Sequence, residues 1–214
     1  MESIKRTIKW QDIKAEQLNL KYSPHYLSKE QADQLYDLLE KEVEYFSGEL
    51  AKVRVFGKWH EIPRQQVAYG DPGISYKFSG LSVHALAWPK FLIDLRDKIN
   101  DDIGYFYNFV LINRYRNGND NIGEHRDDES ELDVDAGIVS ISLGQVRDFV
   151  LRHADHKARV RVIKPIKIAL DHGSLLHMLP PTNVYWYHSL PVRKRATGVR
   201  INLTFRKVKM LSIE

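Results

Sequence analysis

The chain has 214 residues, 43% hydrophobic and 28% charged, ordinary proportions for one globular domain with a sizeable core or a domain with a short extension. It has no cysteine, which excludes disulfides and thiolate metal sites, so any metal must be held by His, Asp or Glu. A net charge of +4 leaves room for a polyanionic partner without requiring one, no apolar run is long enough to span a bilayer, and the start MESIKRTIKW lacks the apolar stretch of a secretory signal.

Residues 1–27 carry little periodicity and read as a lead-in. Ser28 and Gln31 then form a capping-box pair, and Ala32, Leu35, Leu38, Leu39 and Val43 follow at helical spacing. This helix is expected to end near Phe46-Ser47-Gly48. Lys52, Arg54, Lys58 and Arg64 make a basic segment, and beyond it Tyr76 and Phe78 alternate on a short strand. A second helix is predicted after Trp88-Pro89, through Leu92, Leu95 and Ile99, because proline is tolerated in a first turn.

From Tyr105 the period becomes two. Tyr107, Phe109, Leu111, Asn113 and Tyr115 share one strand face, and Asn117-Gly118 signals a loop. Further strands are predicted at 137–143, 146–153, 159–169, 173–178, 185–190 and 199–207. Many short strands after a helical N-terminal portion predict an α+β protein. Its core is a double-stranded β-helix, or jelly roll, braced by N-terminal helices. With no repeat or linker, residues 28–214 read as one catalytic domain.

The chemistry lies in His125, Asp127 and His188, followed by Arg200, Asn202, Thr204 and Arg206. Two imidazoles and one carboxylate are the facial triad that holds non-haem Fe(II) with positions left open. In the last segment the polar residues alternate with Ile201, Leu203 and Phe205, so on a strand all four share one face. Arginines facing a barrel interior need a partner, and a dicarboxylate co-substrate would pair bidentately with Arg200. A solvent-facing basic edge strand is the alternative.

Several motifs in one order carry a family resemblance: VFGKW at 55–59, YGDPGISYKFSG at 69–80, NFVLINRY at 108–115, IGEHRDDE at 122–129, WYHSLPVRK at 186–194 and RINLTFRK at 200–207. Over about residues 30–208 the chain resembles the AlkB family of Fe(II)- and 2-oxoglutarate-dependent dioxygenases. It is most similar to the branch that repairs alkylated bases in double-stranded DNA. The resemblance implies His125, Asp127 and His188 as iron ligands, with Asn113, Tyr115, Arg200, Thr204 and Arg206 on 2-oxoglutarate. Because ligand type alone sets the metal, Mn or Ni could replace Fe(II) in a purified sample.

The resemblance further implies a DNA-recognition segment at about 52–80. Tyr76, Lys77 and Phe78 would contact an extruded base, and Asp128 and Glu129 would meet the positive charge of an alkylated one. Gly57 permits a tight turn that drives Phe56 into the base stack, with Lys58 and Arg64 assisting. Arg193, Lys194 and Arg195 match a basic loop that grips the duplex. The activity implied is repair of 1-methyladenine and 3-methylcytosine, with etheno adducts as further candidates. It would use O2 and 2-oxoglutarate, with ascorbate as reductant, and release succinate, CO2 and formaldehyde.

A nuclear monomer without membrane contact is expected, although the chain shows neither a clear nuclear-localisation run nor a segment for meeting replication clamps. The 152–162 stretch is shorter than the basic hinge of vertebrate relatives. Two rivals stand beside this reading: a family member acting on RNA or protein, and a jelly-roll DNA-binding module that has lost its metal. The Phe56-Gly57 finger favours a stacked duplex over the first, and the intact triad disfavours the second.

Overall fold

The structure, a computed structural model, describes residues 8–55, 57–78 and 81–209. Strands β1 (Gln11–Ala15) and β2 (Leu18–Ser23) come first, then helix α1 (Lys29–Glu42). Hairpin β3 (Lys52–Val55) and β4 (Lys58–Glu61) follows, then β5 (Gln65–Gly70) and a second hairpin, β6 (Ser75–Phe78) and β7 (Leu81–His84). After α2 (Lys90–Ile103) come β8 (Phe109–Tyr115), β9 (Ile122–His125), β10 (Ile138–Gly144), β11 (Arg147–His153) and the turn α3 (Ala154–Lys157). The chain finishes with β12 (Ile166–Leu170), β13 (Ser174–Leu179), the turn α4 (Thr182–Tyr185), β14 (Trp186–Leu190) and β15 (Arg200–Arg206).

Seven strands form one antiparallel sheet, in the order β1-β2-β13-β10-β15-β8-β5. Four form a second, β12-β11-β14-β9, and both hairpins stand apart as two-stranded ribbons. This is the expected jelly roll with helices. The inner strands of the large sheet are buried on both faces, and β15 shows why. Ile201, Leu203 and Phe205 have no exposed surface and pack toward α1 and α2 with Leu39, Leu92 and Ile99. Each such side chain contributes roughly 1.5–3 kcal/mol by burial. The intervening polar residues turn the other way, into the space between the sheets.

Both helices form where their apolar spacing predicts. Ser28 caps α1 with a complete capping box, and Ala32, Leu35 and Leu39 are buried. Leu38 falls off that stripe and is exposed. The helix stops at Glu42 rather than near Gly48, because Val43 turns extended and Phe46 N–H is taken by the Gln66 carbonyl at 2.8 Å. That loop contact with β5 outcompetes another helical turn.

Three sequence expectations are corrected. The stretch 1–27 is no simple lead-in. Its β2 pairs with β13 inside the main sheet and buries Leu18, Leu20 and Tyr22, a period-two pattern only six residues long. The strand expected at 159–169 begins at Ile166, since α3 and the positive φ of Arg159 (60°) break the run before it. Between the two helices lie five strands, and one of them, β5, pairs with β8 as an edge of the main sheet. Among the described residues no helix is long and apolar enough to cross a membrane.

Candidate metal and co-substrate site

Both sheets contribute to one cavity of about 430 Å³. His125 ends β9 and lies directly across from His188 on β14. Asp127, two residues beyond His125, returns to the same side, and one donor atom from each residue falls within 4.8 Å of the others. Asp127 Oδ1 is 3.8 Å from His125 Nε2 and 4.0 Å from His188 Nε2. His125 Nδ1 bonds the Gly123 carbonyl at 2.9 Å, which orients the ring and leaves Nε2 for a metal.

The protonation states suit ligation. Burial pushes the His188 pKa down to about 3, reinforced by His125 and Arg206, and burial also lowers His125. Neutral imidazoles are what a metal requires. Burial opposes ionisation of Asp127, but Arg206 and the two imidazoles overcome it and hold the carboxyl at about 2. Arg206 donates to Asp127 Oδ2 from Nη2 at 2.8 Å and Nε at 3.2 Å, so Oδ1 remains on the histidine side.

In the second half of the cavity lies a cation that no carboxylate pairs with among the described residues. Arg200 is 2% exposed, donates to Ser142 Oγ (2.9 Å) and lies against Tyr115, whose ring is 5.3 Å from its guanidinium. Its Nε has no hydrogen-bond partner among the described residues, and burial lowers its pKa to about 10. A buried guanidinium in this state is stabilised by an entering carboxylate. Asn113 and Tyr115 project from β8, with Thr204 and Asn202 on the neighbouring β15. The donor set and this uncompensated arginine fit Fe(II) with a dicarboxylate: His125, Asp127 and His188 would hold the metal, and Arg200 the far carboxylate.

The remaining candidates divide by place. Asp128, exposed, and Glu129, half-buried, line the cavity beside the triad. Arg64 lies at the root of the β3–β4 hairpin rather than at its tip. Its Nε donates to Asn113 Oδ1 at 2.9 Å, where Gln66 Nε2 also donates at 2.8 Å, and burial lowers its pKa. Gly57 adopts φ +81° in the expected tight turn, with Lys58 exposed beside it. Phe56 lies outside the described residues. Tyr76, Lys77 and Phe78 fall on β6, as their alternation predicts. Arg193, Lys194 and Arg195 sit exposed in the β14–β15 connection, which packs so tightly on Gly118 that a Cβ there would meet the Arg193 carbonyl at 1.9 Å.

Some residues escaped the sequence reading. Arg147 is 1% exposed and donates to the carbonyls of Asn117, Asp120 and Pro191, tying the loop before β9 to the end of β14. Ser142, Gln66 and Asn183 also support the site. An arginine inside the alternating strand 147–153 was the only available sign for any of them.

A jelly roll holding a buried His-Asp-His cluster beside an arginine that lacks an anion defines a non-haem iron oxygenase with a carboxylate co-substrate. Residues 19–206 match the sequence profile of the 2OG-Fe(II) oxygenase superfamily, and the chain belongs to it. The chain is 50% identical over 201 residues to DNA oxidative demethylase ALKBH2 of Mus musculus, covering 93% of this chain and 84% of that protein. The Homo sapiens protein of that name is 51% identical over 201 residues, at 93% and 77% coverage. Among solved structures, "The structure of OsALKBH1" superposes with a TM-score of 0.59 at 18% identity. It covers 91% of this chain and 100% of that one, a likeness of fold alone.

Proposed function

We propose that this chain is a DNA repair enzyme that removes N-alkyl groups from bases by Fe(II)- and 2-oxoglutarate-dependent oxidation. The observation that carries the reading is the uncompensated Arg200 in the same cavity as the His125-Asp127-His188 cluster, in a chain half identical to proteins named DNA oxidative demethylase. Iron and 2-oxoglutarate, when bound, would activate O2, one oxygen atom hydroxylating the methyl carbon and the other ending in succinate as CO2 is released. The hydroxymethyl group then breaks down to formaldehyde and the unmodified base.

The chain's residues bind and orient. Arg200 anchors the distal carboxylate, Asn113, Tyr115 and Thr204 shape its berth, and Arg206 keeps Asp127 ionised and aimed. Asp128 and Glu129 at the cavity face a cationic 1-methyladenine or 3-methylcytosine, whose weakened pairing lowers the cost of extrusion. The 52–80 segment forms the recognition arm, Phe56 filling the gap and Tyr76 and Phe78 flanking the flipped base. Arg193, Lys194 and Arg195 meet the phosphates. A nuclear monomer acting on duplex DNA completes the reading.

Incubation with Fe(II), ascorbate, 2-oxoglutarate and a duplex carrying one 1-methyladenine should restore adenine and release formaldehyde in equal amounts. Faster repair of the duplex than of its single strand supports the recognition arm. Repair of RNA in place of either DNA would move the substrate assignment.

A further inference from the structure

The two halves of the metal centre reach the cavity from different directions, and one short turn joins them. His125 and Asp127 leave the end of β9, whereas His188 stands on β14. The turn α4 runs directly into β14 and is strapped to the first half. Asn183 Oδ1 accepts the Asp127 N–H at 3.1 Å, and Asn183 Nδ2 donates to the Asp127 carbonyl. One residue earlier, Arg126 Nη1 donates to the Val184 carbonyl at 2.5 Å, with its guanidinium 4.7 Å above the Tyr187 ring.

The turn is itself anchored. Thr182 is fully buried, and its Oγ1 accepts the Asn19 N–H at 2.7 Å and donates to the Asn19 carbonyl at 3.1 Å. That links the strap to β2, the strand hidden in the apparent lead-in.

We propose that Asn183 is a positioning residue for the metal: its side-chain amide clamps the Asp127 peptide so that Oδ1 faces His125 and His188. The proposal rests on the reading of those three residues as the metal ligands. Both polar groups of the Asp127 backbone are used by this one amide, while the carboxylate is steered separately by Arg206. Arg206 fixes which oxygen is presented, and Asn183 fixes where the residue stands. Asn183→Asp would keep the acceptor and lose the donor, and Asn183→Ala would lose both. Outer partners of this kind are typically worth about 10- to 100-fold in metal affinity.

The test is titration of Mn(II), as a stand-in for Fe(II), into the full chain, followed by its electron paramagnetic resonance signal. Asn183→Ala should weaken Mn(II) binding about tenfold or more, and Asn183→Asp by a smaller factor. Leu39→Ala, a core change on the helix-covered face of the main sheet and outside the cavity lining, should lower the metal-free melting temperature and leave Mn(II) affinity unmoved, separating positioning from stability. Asp127→Ala should abolish tight binding. Asn183→Ala binding Mn(II) as tightly as the parent, while Asp127→Ala does not, overturns the proposal and spares the metal site. Unchanged binding in Asp127→Ala overturns the metal site itself. Should Asn183→Ala fail to fold, Asn183→Asp carries the test, and parent-like affinity in it sinks the clamp.

Discussion

Strand β15 and the β3–β4 hairpin start from similar material, basic residues alternating with apolar ones, and the fold uses them in opposite ways. In β15, Arg200 and Arg206 are 2% and 5% exposed at the middle of a seven-stranded sheet, each held by named partners. In β4 all four residues are exposed, and Lys52 meets Glu61 across the ribbon only at 3.9 Å in solvent. A two-stranded ribbon has little stability of its own, and surface ion pairs are worth about 0–1 kcal/mol. The interior places charge rigidly where the low dielectric makes each contact count. The ribbon presents charge loosely, which suits a long polyanion that many weak contacts can hold.

The comparison breaks first at the metal. Asp127→Ala should reduce formaldehyde release by about a thousandfold or more, since metal-supplied charge stabilisation is worth several kcal/mol. Turnover within tenfold of the parent would mean that the interior cluster is not the reacting centre.

The interior should also make the metal-free chain acid-sensitive. Burial lowers His177 to about 4, so the unfolded chain, at its ordinary 6.5, takes up the proton first. The stability of the neutral form is therefore complete above pH 6.5 and declines as pH falls toward 4, by about 3 kcal/mol at pH 4 from this residue. Urea unfolding at pH 7 and pH 4 measures the loss, and His177→Gln should remove about that share of the difference. An equal loss in the variant would rule His177 out as its source.

Arg200→Gln sharpens the comparison inside the cavity. Hydrogen bonds to charged groups contribute about 1.5–3 kcal/mol, so KM for 2-oxoglutarate should rise roughly 10- to 100-fold while KM for DNA holds. The ribbon should behave in the reverse manner. Lys52→Ala combined with Lys58→Ala should weaken duplex binding severalfold and lower the salt slope by about one per lost phosphate contact, with 2-oxoglutarate affinity unchanged. A change in 2-oxoglutarate KM from that pair would erase the distinction between the two regions.

What was legible in the sequence follows the same division. The alternation of Arg200, Asn202, Thr204 and Arg206 already implied one polar face, because the side-chain period of a strand leaves no other choice. The capping box at Ser28 and the stripe Ala32, Leu35, Leu39 likewise declared α1. The β1–β2 hairpin stayed hidden because the six-residue β2 owes its place to pairing with β13, about 155 residues away (for example Tyr22 with Leu176), and the five-residue β1 only adds to β2 as an edge. Arg64 reads with the basic segment as assisting the finger, and its inward turn to Asn113 is visible only in the fold. Asn183 carried no signal, since an asparagine beside two prolines reads as a turn until Asp127 is seen opposite it.

The most direct measurement is calorimetric titration of 2-oxoglutarate into the Mn(II)-loaded chain, the metal-free chain and the Mn(II)-loaded Arg200→Gln variant. Tight one-to-one binding is expected only in the first, because the co-substrate needs both the triad's metal and the buried guanidinium. Equal affinity in all three would show that 2-oxoglutarate does not enter this cavity as described.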